Sequence, residues 1–193
     1  MSHYPDNIFP GMVANRAAEF PDFKVLTIEG AGVRPDEVRT YRQLWDNGQR
    51  MAQAMLDLGI APGERVALLM ANHAEFVEAM VAAGIVGAAV VPIDPRTKGD
   101  KLHFMLSNSQ CSAAIAADYV LPRLQPLRER LPGLRWAMAF ATDEGDHLTG
   151  ERDAHQTVAV ERSPRAGLGF TVLMASAALN LITPSARLIG GLM

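Results

Sequence analysis

The residues that could do chemistry are scattered, and most lack the partners their chemistry requires. His73 and Glu75 form an H-x-E, yet no P-C-x-x-C follows to complete a zinc deaminase centre. They read more simply as residues at a helix start. Asp143, Glu144, Asp146, His147, Glu151, Asp153 and His155 gather many oxygen and nitrogen ligands within "DEGDHLTGERDAH". Their spacing fits neither a calcium loop nor a zinc signature, so an exposed acidic connection is expected. Gly30-Ala31-Gly32 follows a strand-like run, but Pro35 stands where a dinucleotide fingerprint needs its third glycine; a plain turn results. "TKGDK" at 97–101 lacks the G-K-[ST] of a phosphate loop and reads as a solvated lead into a helix. Arg123, Arg128, Arg130 and Arg135 alternate with Leu124, Leu127 and Leu131, the pattern of an amphipathic helix with a wet basic side. No G-x-S-x-G elbow is present, and Cys111, the single cysteine, has no evident catalytic setting. The sequence therefore nominates no catalytic, cofactor-binding or metal-binding residue.

The elements that would position such groups are easier to read. Residues 11–20 suggest a short helix closed at Pro21, and 24–29 ("KVLTIE") a strand followed by turn residues over 30–37. Thr40 is placed to cap a helix over 41–58, whose Leu44, Met51, Met55 and Leu58 repeat at helical spacing up to the stop at Gly59. "RVALLMA" (65–71) is a continuous apolar run, as in a strand covered on both faces. A helix over 72–84 is expected next, with Asn72 as cap, Glu75 three residues on, and Phe76, Met80 and Gly84 sharing a face with Val77 and Val81. Within "AAGIVGAAVVPIDP" (82–95) the helix ends, Gly87 turns the chain, and 88–92 forms a fully buried strand. A helix at 99–108, a strand at 112–117, a helix near 119–131 and a strand at 134–140 continue the series.

Strands and helices alternating at this spacing specify an α/β fold, a mostly parallel sheet flanked by helices. Over residues 24–140, 65–71, 88–92 and 112–117 are expected among the central strands. The bulk properties agree with a globular protein: 193 residues, 49% hydrophobic, 20% charged, ten methionines that serve as core filler. A net charge of -3 and a pI near 5.9 exclude a typical nucleic-acid binder. One cysteine cannot form an internal disulfide, and the start carries no secretory signal pattern, so a cytoplasmic home is expected.

Residues 166–186, "AGLGFTVLMASAALNLITPSA", carry no charge. That is the length of a membrane span, but Ser176, Asn180, two glycines and Pro184 argue against a stable one. The stretch reads instead as a segment belonging inside a larger core, with self-association as the consequence in isolation.

Taken together, Thr40-Tyr41-Arg42-Gln43-Leu44, the turn Pro62-Gly63-Glu64-Arg65-Val66, Asn72, and Gly87-Ala88 through Val91-Pro92-Ile93-Asp94-Pro95 resemble one family. So does "KLHFMLSNSQCSAAIA" (101–116), with Leu102, Leu106 and Ser109. Residues 8–140 look like the N-terminal part of the adenylate-forming acyl-coenzyme A synthetases, a superfamily that includes luciferases and peptide-synthetase adenylation domains. The resemblance implies a ligase of the kind used in fatty acid metabolism: a carboxylic acid and ATP give an acyl-adenylate, which a coenzyme A thiol then takes. ATP, Mg²⁺ and coenzyme A are the implied cofactors of the full-length family. The T-S-G-T-T-G-x-P-K-type phosphate loop of that family has no counterpart here; Ala175-Ser176-Ala177-Ala178 lacks its glycine, threonine and lysine. The matched positions are scaffold: turn glycines, apolar faces, caps. The expectation is an N-terminal α/β subdomain over residues 1–160 and an apolar tail over 161–193, a fragment cut by truncation or an altered frame, binding no cofactor and inactive alone. Two other readings stay open. One is a stand-alone α/β module docking on a partner through its tail; the other is a small membrane-anchored protein.

Overall fold

A computed structural model describes residues 8–30, 36–142 and 171–175. These divide into two compact units, the first built from the described residues up to 64 and from 72 to 90, the second from 65–71 and the described residues from 91 onward.

In the first unit, α1 (Phe9–Glu19) is followed by a two-stranded antiparallel sheet of β1 (Lys24–Ile28) and β2 (Glu37–Thr40), then by α2 (Tyr41–Asp57) and α3 (Ala74–Val86). Thr40 starts α2 as expected. Its hydroxyl accepts from Gln43 N, and the Gln43 side chain returns to Thr40 N, so two otherwise orphaned donors are satisfied. Leu44, Met51 and Met55 are buried on one side of α2, while Leu58 is only partly so. Gly59 carries the chain out at φ +80°, a conformation other residues rarely adopt.

The helices approach closely where side chains are missing. A Cβ on Gly48 of α2 would stand 2.5 Å from Val81 Cγ1 of α3, and one on Gly84 of α3 would stand 2.8 Å from the Pro10 ring of α1. Val13, Leu44 and Val81 form the small core there, with Val25, Trp45, Val77 and Ile85 around it.

Three expectations need correction in this unit. β2 lies where turn residues and a helix cap were anticipated, and β1 pairs with it instead of joining the parallel sheet. The polar "DEVRT" hides the strand because it is short and only half-buried. The helix over 72–84 begins at Ala74, with His73 rather than Asn72 at its N-cap position and no side chain closing the cap. Its buried face is Glu75, Glu78, Ala79, Ala82 and Val86 together with Val81, whereas Met80 is exposed and Phe76 partly so.

The second unit holds β3 (Arg65–Leu69), α4 (Gly99–Asn108), β5 (Cys111–Ala117), α5 (Leu121–Leu124), β6 (Trp136–Phe140) and β7 (Thr171–Ala175). β4 (Ala89–Pro92) is shared between the units. The sheet order is β4-β3-β5-β6-β7, and β3, β5, β6 and β7 are mutually parallel. Alanines at 67, 114, 116 and 137 let Leu102 and Leu106 of α4 and Leu124, Leu127 and Leu131 pack closely over this sheet. An α/β fold with a parallel sheet flanked by helices is what the alternation of elements demanded. β4 departs from expectation: it is the terminal strand of that order, and its residues are half-buried or exposed rather than fully buried.

The helix expected over 119–131 breaks into a 3₁₀ turn (Asp118–Val120), the one-turn α5 and a second 3₁₀ stretch (Gln125–Arg130). Pro122 and Pro126 each remove a backbone donor, so no continuous ladder can form. Within the charge-free tail, Thr171–Ala175 is a strand paired in parallel with β6, not part of a helix. No helix among the described residues is long and apolar enough to cross a membrane.

Candidate functional site

In open parallel sheets, ligands bind outside the carboxyl ends of the strands, where the loops diverge. Here that edge is formed by Ala71 after β3, Asp94–Thr97 after β4, Asp118 and Tyr119 after β5, and Thr142 after β6. Asp118 ties two of these ends together. One of its carboxylate oxygens accepts from Tyr119 N at 2.9 Å and from the Thr142 hydroxyl at 2.6 Å, and the other accepts from Thr142 N at 3.0 Å. Tyr119 reaches a third end, its hydroxyl accepting from Ala71 N at 2.9 Å. Arg123 donates to the Pro95 carbonyl at 2.8 Å, fixing the loop after β4. Asp94 receives the backbone N–H and the guanidinium of Arg96. Those hydrogen bonds, the side-chain one foremost, lower its carboxyl to about 2.

These polar groups hold loops in place. Asp118 is matched by backbone and hydroxyl donors, and Asp94 by the backbone and guanidinium of Arg96. Among the described residues no three His, Cys, Asp or Glu side chains come together to hold a metal.

The residues singled out by sequence disperse. Gly30 N donates to Asp36 Oδ1 at 2.9 Å, while the rest of the "GAG" run and Pro35 lie outside the described residues. "TKGDK" leads into α4, with Lys98 at the N-cap position and Asp100 paired to Arg130 at 2.9 Å; Thr97 is buried, the remainder exposed. The arginines do not converge, since Arg123 binds Pro95, Arg130 binds Asp100, and the Arg135 amide joins the Ser112 carbonyl. Leu124, Leu127 and Leu131 beside them are buried, as their spacing required. Cys111 is buried, and burial pushes its thiol up to about 11 against the pull of Arg65. The acidic stretch 143–155 lies outside the described residues.

His73 and Glu75 serve different ends. His73 is buried at the start of α3, while Glu75 turns to a cluster the sequence reading missed. Arg39 of β2 donates through Nε to Glu78 Oε1 at 2.8 Å, and lies 3.6 Å from Glu75 and 3.4 Å from Glu37. Asn47 of α2 donates to the same Glu78 oxygen at 2.8 Å. Glu78 has no exposed surface at all. The available signal was a charge inside the otherwise apolar run "FVEAMVAAG"; a glutamate there needs a buried partner.

With this geometry in hand, comparison with known proteins gives a consistent answer. The family model described as "AMP-binding enzyme" matches residues 13–168. An N-(5-amino-5-carboxypentanoyl)-L-cysteinyl-D-valine synthase of Penicillium rubens is 31% identical over 125 residues, covering 64% of this chain and 3% of the synthase. A long-chain-fatty-acid–CoA ligase of Mycobacterium tuberculosis is 33% identical over 117 residues, covering 61% of this chain and 22% of the ligase. Among solved structures, a Mycobacterium tuberculosis fatty acyl CoA synthetase superposes with a TM-score of 0.60 at 29% identity, covering 69% of this chain and 26% of that one. The chain thus spans from a few hundredths to about a quarter of the length of these relatives.

Proposed function

This chain belongs to the AMP-binding enzyme family, whose N-terminal part it matches, and from that premise we propose that it is the scaffold portion of an ATP-dependent acid–thiol ligase. In the assembled enzyme a carboxylic acid attacks the α-phosphate of ATP, pyrophosphate leaves, and the acyl-adenylate passes its acyl group to the thiol of coenzyme A. The observation that carries this reading is the family match over residues 13–168, supported by the likeness to fatty acyl CoA synthetases. A second reading has support of its own. The synthase from Penicillium and an isonitrile lipopeptide synthase of Mycobacterium tuberculosis, 35% identical over 115 residues, belong to peptide assembly. On that reading the acid is an amino acid and the thiol belongs to a carrier.

On either reading this stretch contributes position rather than chemistry. Asp118, Tyr119 and Arg123 fix the loops at the carboxyl edge of the sheet, and the cluster around Arg39 fixes β2 to α2 and α3. ATP supplies the leaving pyrophosphate and Mg²⁺ the countercharge; no donor among the described residues is assigned to either. We therefore propose that the 193-residue polypeptide does not adenylate acids on its own, that it works in the cytoplasm, and that it self-associates through residues 166–186. Acid-dependent ATP–pyrophosphate exchange tests the first point across short, long, aromatic and amino acids. No exchange is expected, and exchange that co-purifies with the polypeptide would overturn the proposal. Sedimentation velocity tests the last, with concentration-dependent association expected and a sharp monomer contradicting it.

A further inference from the structure

The cluster around Arg39 sets three carboxylates against one guanidinium. Glu37 and Arg39 face it from β2, Glu75 and Glu78 from α3, and α2 contributes the neutral amide of Asn47. Lys24 of β1 is exposed, and Arg16 and Glu19 of α1 pair with each other at the surface. His73 is buried at the N-cap position of α3, two residues before Glu75. The donors are unequally shared. Glu78 Oε1 takes both Arg39 Nε and Asn47 Nδ2 at 2.8 Å. Glu75, also buried, has the same cation no closer than 3.6 Å. Glu78 Oε2 is buried and receives no donor. Glu75 lies three residues earlier in α3, on the same face.

We propose that Glu75 serves, with Glu78 and Arg39, as a proton-dependent latch that fastens β1–β2 to α3. With Glu75 neutral, one buried carboxylate faces one guanidinium. When the proton leaves, two buried carboxylates a helical turn apart compete for a single cation, and the hold of β2 weakens. Burial, and the charge of Glu78 behind it, push the Glu75 carboxyl above its ordinary range, against its backbone hydrogen bond and Arg39. A carboxyl whose folded value is raised contributes stability that is complete below the ordinary glutamate range and lost as pH rises through the folded value.

The test is carboxyl ¹³C NMR on the full chain, read beside amide-exchange protection of β1 and β2 corrected for intrinsic rates. Glu75 is expected to titrate above the ordinary glutamate value of about 4.3. Protection of the two strands should fall over that same interval, while the β5 and β6 amides hold. Glu75→Gln, which keeps a neutral side chain in place, should abolish the pH dependence and retain the low-pH protection. Titration of Glu75 at or below the ordinary value would overturn the proposal. So would strand protection that ignores the titration, or an unchanged pH profile in Glu75→Gln. Should that variant not fold, the wild-type titration and protection profiles decide alone.

Discussion

Arg39 and Glu78, 39 residues apart in sequence, meet at 2.8 Å with Glu78 wholly buried and Arg39 half-buried. A buried carboxylate left without its cation keeps the cost of its desolvation, which is why removing one partner of such a pair costs about 3–5 kcal/mol. Arg39→Met is expected to lose stability on that scale in urea unfolding. Replacing both, Arg39→Met with Glu78→Leu, should recover much of the loss, because no charge is then stranded. A single variant as stable as the wild type would show that the pair does not hold β2 to α3.

Gly48 is expected to resist even the smallest side chain. Gly48→Ala places a methyl 2.5 Å from Val81 Cγ1 and 2.9 Å from its Cβ, a branched side chain packed in the core. Overpacking of this kind costs about 1–3 kcal/mol. The better helix propensity of alanine offsets up to about 1 kcal/mol of that. A net destabilisation that Val81→Ala relieves is the predicted result of thermal or urea melts; stabilisation by Gly48→Ala alone would contradict the close approach of α2 and α3.

Thr40→Ala removes the hydroxyl of the box that starts α2. The loss should be about 1 kcal/mol. Thr40→Ser should restore most of it, and equal losses in both variants would argue against a capping role.

Cys111 is expected to be silent toward a thiol reagent in the native state at pH 8, since its thiol is buried and pushed up to about 11. One equivalent should react once urea opens the fold. Fast labelling of the native protein would mean that the amino end of β5 is open to solvent.

How much of this was legible in the sequence varied with the physics of each element. β3 and β5 announce themselves because strands buried on both faces must be continuously apolar, and α2 because its cap and its buried face repeat at fixed spacing. β2 was invisible: four half-buried residues carrying Glu37 and Arg39 look like a turn until α3 supplies their partners. The segment over 119–131 misled because leucine spacing was helical while Pro122 and Pro126 forbade the helix. The carboxyl edge of the sheet was illegible for a different reason. Asp118, Tyr119 and Thr142 match no motif, and only the parallel pairing of β3, β5 and β6 brings them together.

The central claim, that this chain is the positioning scaffold of an adenylate-forming ligase, is tested most directly by transplanting it. Residues 8–142 would replace the corresponding N-terminal stretch of a fatty acyl CoA synthetase, and acid-dependent ATP–pyrophosphate exchange would be measured on chimeras shown to be folded. Removing a single group that meets transition-state charge typically costs about a hundred- to a thousandfold in rate. The account predicts a smaller loss than that, because no such group is assigned to this stretch. A well-folded chimera whose exchange has vanished would contradict it.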